Sequence, residues 1–156
     1  MVAAPHTSNW DIVFARAALF ILRVPVKFTI KKEWVRFPMG LILKPLGAIP
    51  IDRQAKGTRK ASMVDTMAEL FNKRDHLIIL VTPEGTRKYA KRWRSGFYFT
   101  AMKANVPIVL GYLDYKDKEA GIGAVFYPSG DRDRDVEEIK AFYRKKVPKF
   151  PDQGVV

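Results

Sequence analysis

Cysteine is absent from the 156 residues. That excludes a disulfide framework, thiolate metal sites and cysteine nucleophiles, and it fits a reducing cytoplasm. Histidine is almost absent too, with only His6 and His76, too few for an ordinary zinc ligand set without thiolates. No metal is therefore expected. No apolar run reaches the eighteen or so residues of a spanning helix; the longest, residues 12–22, is interrupted by Arg16. The start has neither a basic n-region nor a cleavage site. It opens directly on the strand-like MVAAP, which leaves room for a segment upstream. Internal repeats and interdomain linkers are missing as well. A single domain over residues 1–156 is expected, with residues 148–156 as an exposed or poorly ordered tail.

What is abundant is positive charge. Lysine and arginine number 28 against 16 acidic residues, a net +12, which points to a polyanionic partner. Nucleic acid, anionic lipid headgroups and phosphate-bearing cosubstrates all qualify, and the sign alone does not choose among them. A hydrophobic share of 47% argues against disorder.

Periodicity alternates strands with helices. Residues 9–23 read as a helix apolar nearly all round, expected to be buried against a sheet. VKFTIK from Val26 alternates as a strand, and residues 48–52 form a second, shorter one. Between them, residues 33–46 read as a helical stretch broken by Pro38. Its Trp34, Phe37, Leu41 and Ile42, flanked by Lys31, Lys32, Arg36 and Lys44, fit either a kinked surface helix packed on the core or an interfacial helix against anionic lipid. Residues 57–73 form an amphipathic helix, and HLIILV from His76 has the continuous apolar character of a central parallel strand. A helix from Ser95 to about Asn105, the strand PIVLGYLDY from Pro107, a strand over 123–127 and a last helix announced by Asp135 and Glu138 complete the chain. Such alternation predicts an α/β fold, a mostly parallel or mixed sheet flanked by helices.

In such sheets ligands bind beyond the carboxyl ends of the strands. His6, Arg53 and the segment from Glu84 to Arg87 all follow strands directly, so three distant stretches are expected on one rim. His6 and Asp11 are five residues apart in HTSNWD, a spacing that on one helix separates side chains by roughly 140°. With His6 in the loop and Asp11 in the first helical turn, the carboxylate can reach back and orient the imidazole as a base. Ser8 and Asp11 also fit a capping box, which would do no more than satisfy the helix N-terminus. Both readings stand at this stage.

Taken together, His6 with Asp11 (the HX4D pattern), GAIPIDR at 47–53, PEGTR at 83–87 and VPIV at 106–109 resemble the four ordered blocks of the glycerolipid acyltransferases, the acylglycerol-phosphate acyltransferase type. The resemblance covers essentially the whole chain. It implies the glycerol-phosphate-acyltransferase-like fold and transfer of a fatty acyl group from acyl-CoA or acyl carrier protein to a hydroxyl of a lysophospholipid or glycerol phosphate, with no cofactor beyond the acyl donor. His6 would be the catalytic base and Asp11 its orienter. Substrate-binding residues would fall on Gly47, Ile49, Pro50, Arg53, Glu84, Gly85, Arg87 and Pro107. Arg53 and Arg87 suit the acceptor phosphate, because guanidinium forks bind its oxygens bidentately. Lys88, Lys91, Arg92 and Arg94 would attract donor phosphates or the membrane. Pro107 also reads simply as a strand-initiating proline. With no serine elbow and no cysteine, direct attack without an acyl-enzyme is the simpler scheme. The expected partner is an anionic membrane surface, the expected place the inner face of the membrane, on the cytoplasmic side.

Two competitors remain from the residues alone. A nucleic-acid-binding module would use the +12 charge and WRSGFYF, but it leaves HTSNWD unexplained and shows no groove-reading motif. No nucleic acid is expected as partner on that ground. A catalytically silent lipid-binding relative is the other.

Overall fold

The run Ile78–Val81 forms β4, a central strand in a computed structural model that describes residues 1–51 and 62–155. Its β-branched residues suit a strand covered on both faces. In chain order the elements are β1 (Val2–Ala3), α1 (Trp10–Ile21), β2 (Val26–Lys31), a 3-10 turn (Lys32–Val35), α2 (Gly40–Leu43), β3 (Ala48–Ile51) and α3 (Met63–Asn72). After β4 come α4 (Gly96–Ala104), β5 (Ile108–Asp114), β6 (Glu119–Phe126), α5 (Arg132–Tyr143) and a closing 3-10 turn (Pro151–Gln153). The six strands lie in the order β3-β2-β4-β1-β5-β6. Every pairing is parallel except β5 with β6, so the expected α/β architecture with a mixed sheet is what the chain adopts.

Connections sort the helices into two layers. The steps from β1 through α1 to β2, and from β2 to β3, run the same way across the sheet, so right-handed crossovers put both on one face. The return steps through α3 and α4 run the other way and lie on the opposite face, joined there by α5. That second face is the core: Ala3, Ile79, Ile108 and Leu110 of the sheet pack against Met67, Phe71, Phe97, Tyr98, Ile139 and Tyr143.

Local signals explain several ends. Ser62 and Asp65 complete a capping box on α3. Lys103 on α4 bonds Asp65 as well, and this contact, then the Ser62 bonds, hold the Asp65 carboxyl down to about 2. Helix α4 stops at Asn105, whose φ of +50° is the left-handed conformation asparagine tolerates.

Four expectations need correction. Helix α1 buries only Asp11 and Leu19, and its Ile12, Val13, Phe14, Phe20, Ile21 and Leu22 are exposed, because nothing in the described chain covers its outer side. Residues 33–46 break at Pro38 as expected, into two short turns, but Trp34, Phe37, Leu41 and Ile42 are exposed rather than packed on the core. Asp135 does not start α5, which Asp131 caps by accepting from the Arg134 N–H. The tail is packed: Val155 lies against the core, and the Phe150 N–H donates to Thr7 Oγ1.

Asp135 instead anchors α5 to α4 from a buried position. It accepts from the Tyr98 hydroxyl (2.7 Å), the Ser129 N–H (2.6 Å) and the Ser129 hydroxyl (2.8 Å). Burial pushes its carboxyl up, but the bonds from Tyr98 and Ser129 outweigh it and hold the group below its usual range. A depressed carboxyl contributes stability at neutral pH and loses it as pH falls through the folded value. Asp135→Asn should therefore lower stability at pH 7 by about 2–3 kcal/mol in urea titrations, and its difference from wild type should shrink as the pH is lowered.

Candidate active site

Strands β1 and β4 leave the sheet side by side. Ala3 pairs with Val81, and the Ala4 N–H donates to the Val81 carbonyl at 3.0 Å. Two prolines, Pro5 and Pro83, then turn both chains out of the sheet, one carrying His6 and the other Glu84. The His6 N–H donates to Glu84 Oε1 at 3.0 Å, and its Nδ1 lies 3.5 Å from Oε2. Nδ1 and Oε2 are both buried and make no hydrogen bond, so the facing pair is an ion-pair-range contact rather than a formed bond. Nε2 has no partner among the described residues and is not enclosed. It is the ring nitrogen left open to a further group.

His6 lies outside the helix, as the base reading requires. No hydrogen bond joins it to Asp11 among the described residues. The buried Asp11 carboxylate holds the loop instead: Oδ2 accepts from the Thr7 N–H (2.7 Å) and the Ser8 N–H (2.9 Å), and Oδ1 from the Tyr115 hydroxyl (2.5 Å). The Ser8 contact is one half of the capping box, while the Ser8 hydroxyl itself accepts from the Trp10 N–H. Capping and loop positioning are thus one arrangement.

The second loop is tied to the first. Arg87 donates to the Asn9 side-chain oxygen, joining PEGTR to HTSNWD. Gly85 has φ +64°, which calls for glycine, and a Cβ there would come 2.6 Å from Arg94 Nε, so the arginine side chain would have to move. Beneath β1, the Tyr143 hydroxyl donates to the Ala3 carbonyl at 2.6 Å. Burial, and after it the Glu84 charge, push that phenol well up, so it stays a neutral donor.

A cleft of about 660 Å³ runs along this rim. Ala15 and Ala18 of α1, Leu22 just past its end, and Phe28, Leu80 and Val2 of the sheet line it, with Met67 and Phe97 from the other layer. His6, Asp11 and Arg94 are its ionisable groups on the rim, with the hydroxyl residues Thr29, Thr82, Thr100 and Tyr112 also lining it. Apolar walls with few polar groups describe a binding cleft of ordinary size. Among the described residues no three acidic or histidine side chains gather as a metal site.

The remaining expected residues that the structure describes are not brought here. Gly47 makes the positive-φ turn into β3, Ile49 is buried on the core face and Pro50 is exposed; none lines the cleft. Arg53 lies outside the described residues. Pro107 precedes β5 at the amino end of the sheet, opposite His6, which favours its strand-initiating role. Tyr115, Thr7 and Asn9 join the site without having been singled out for it, and Arg94, expected only to attract donor phosphates or the membrane, lines the cleft itself. The signal for Tyr115 was its place just past β5, since β5 flanks β1 and ends on the same rim.

The family described as Acyltransferase matches residues 1–110. A comparison with curated proteins finds no match. The matched span contains both loops of the rim, from HTSNWD to PEGTR.

Gly85→Ala should destabilise the protein by about 1–2 kcal/mol from the left-handed backbone alone, measured by urea denaturation, and should displace Arg94 from the cleft.

Proposed function

The chain belongs to the acyltransferase family, and from that premise we propose that it moves a fatty acyl group from acyl-CoA or acyl carrier protein to a hydroxyl of a lysophospholipid or glycerol phosphate. The observation that carries this reading is His6 at the polar side of an apolar cleft large enough for a lipid chain. An acyl chain would lie along α1 and the sheet with its thioester near Nε2. Gly111 supports this: it lines the cleft beside Val2 and presents no side chain to it, and a Cβ there would come 2.9 Å from Val2 Cγ1.

The reaction then follows from the groups present. The acceptor O–H gives its proton to His6 Nε2 as its oxygen attacks the thioester carbonyl. A C–O bond forms, the C–S bond breaks, and the imidazolium returns the proton to the departing thiolate. Such general base catalysis contributes roughly 10²- to 10⁴-fold. Glu84, facing Nδ1, suits the positive ring that forms. Arg87 and Arg94 are the described cations best placed for a phosphate, with Arg87 oriented by Asn9.

The layer above the cleft suits a bilayer as the source of the lipid substrate. Phe20 of α1 is 84% exposed and Phe37 of the β2–β3 connection 85%, on the same face of the sheet, with Ile21, Leu41 and Ile42 also open. Arg23, Lys31, Lys32, Arg36 and Lys44 are interspersed, a charge that anionic headgroups complement. No helix among the described residues is long and apolar enough to cross a membrane.

Three measurements test this. Purified protein should move a labelled acyl group from acyl-CoA or acyl carrier protein to a lysolipid, and His6→Ala should lose roughly 10²-fold or more of that rate; undiminished turnover in the variant would remove His6 as base. Gly111→Val should slow long-chain donors more than short ones, and equal slowing would place the chain elsewhere. Flotation with vesicles should show binding that rises with anionic lipid content and falls for Phe20→Ser with Phe37→Ser; binding indifferent to both would leave this face without a bilayer role.

A further inference from the structure

The Asp11 carboxylate has a partner that helix capping does not need. Capping uses donors from within the loop, and Thr7 and Ser8 supply two. The third donor, the Tyr115 hydroxyl, comes from 104 residues away at 2.5 Å. Tyr115 is itself held on three sides. Its ring meets Phe14 of α1 edge-on, with centroids 6.1 Å apart. Its N–H donates to the Val147 carbonyl at 2.8 Å. The turn that follows it is closed by the buried Asp114, which accepts from the N–H groups of Lys116 and Asp117.

The chain after α5 continues across the same rim. Lys146 lies 3.7 Å from the Asp114 carboxylate, and three residues beyond Val147 the Phe150 N–H reaches Thr7 Oγ1 at 3.3 Å. Residues 146–150 therefore touch the His6 loop directly through Thr7 and indirectly through Tyr115 and Asp11. Tyr115, Asp114 and residues 146–150 all lie beyond residue 110, outside the span that the family match covers.

We propose that Tyr115, strapped in place by residues 146–150, is a positioning residue that fixes Asp11 and so sets the loop carrying His6. It rests on the reading of His6 as the base, and it adds that the catalytic loop is set from the far end of the chain as well as by its own helix cap. Burial, then the bond and charge of Asp11, push the Tyr115 phenol up, so it remains a proton donor to the carboxylate across the working pH range.

The test variant is Tyr115→Phe, which keeps the ring and its contact with Phe14 while removing the hydroxyl. Losing a charge-assisted hydrogen bond should lower kcat by about tenfold with KM for donor and acceptor changed by less than about twofold. Amide hydrogen exchange, followed residue by residue, supplies a readout that does not need activity. The Thr7 and Ser8 amides, which sit on Asp11 Oδ2, should exchange at least about tenfold faster in the variant, while β4 amides keep their wild-type rates. Thr7→Val, which removes the acceptor for Phe150, should likewise speed exchange at Phe150 and Tyr115 and lower kcat. Unchanged exchange at Thr7 and Ser8 in Tyr115→Phe would overturn the proposal whatever kcat does, and so would faster exchange with wild-type kcat. If the wild-type protein transfers no acyl group, the acyl-transfer reading fails, and the exchange rates alone still decide whether Tyr115 holds this loop.

Discussion

The register of a two-residue strand decides where the chemistry is. Val2 and Ala3 are hydrogen-bonded between β4 and β5 at the centre of the sheet, and the chain leaves at Ala4 still bonded to Val81. A slip of one residue would turn Ala3 off the core face and carry His6 away from Glu84. So short a strand supplies few ladder bonds of its own. It is held by burial of Met1, Val2 and Ala3 and by the Tyr143 hydroxyl on the Ala3 carbonyl. Core packing and site geometry are therefore the same constraint seen from two sides, because the residue that seats α5 against the sheet also fixes the strand that delivers His6.

At the rim, the polar groups fall into two kinds. Asp11 is fully engaged, with three donors on two oxygens, and such a carboxylate rigidifies what it touches. His6 Nδ1 and Glu84 Oε2 face each other without a formed bond, the one buried pair of side-chain atoms among the described residues with no partner. An unmade bond between buried polar atoms costs free energy that the rest of the fold must supply, and such costs gather at functional sites. A ring that becomes positive during proton transfer would draw that carboxylate in. Rigid support on one side and an unmade electrostatic contact on the other is the division that the proposed role of His6 as a base, gaining and losing a proton in each turnover, would use.

Much of this was legible in the residues. The β-branched run of β4, the capping box of α3 and the alternation of VKFTIK each carry a local physical cause, and their order implies the layered sheet and its ligand-binding rim. Placing His6, Glu84 and Arg87 on one rim, as distinct from bringing them into contact, needs nothing more than the rule that ligands lie beyond strand carboxyl ends. What stayed hidden depends on tertiary partners. The exposure of α1 could not be read from a helix apolar nearly all round, because periodicity says what wants burial and not whether anything arrives to cover it. Residues 146–150 carry no periodic pattern, and their hold on Thr7 and Tyr115 runs through backbone groups that every residue has. The carboxylate facing His6 was also hidden: five-residue spacing pointed to Asp11, whereas the cross-strand register brings Glu84.

Direct transfer over His6 is tested most plainly by following protein mass and product together after mixing the protein with a labelled acyl thioester, first without and then with a lysolipid acceptor. With His6 acting only as a proton carrier, no acyl group attaches to the protein at any time, and labelled product forms only when acceptor is present. An acyl adduct that forms without acceptor and then chases into product would contradict it, and would require a nucleophile other than the acceptor hydroxyl.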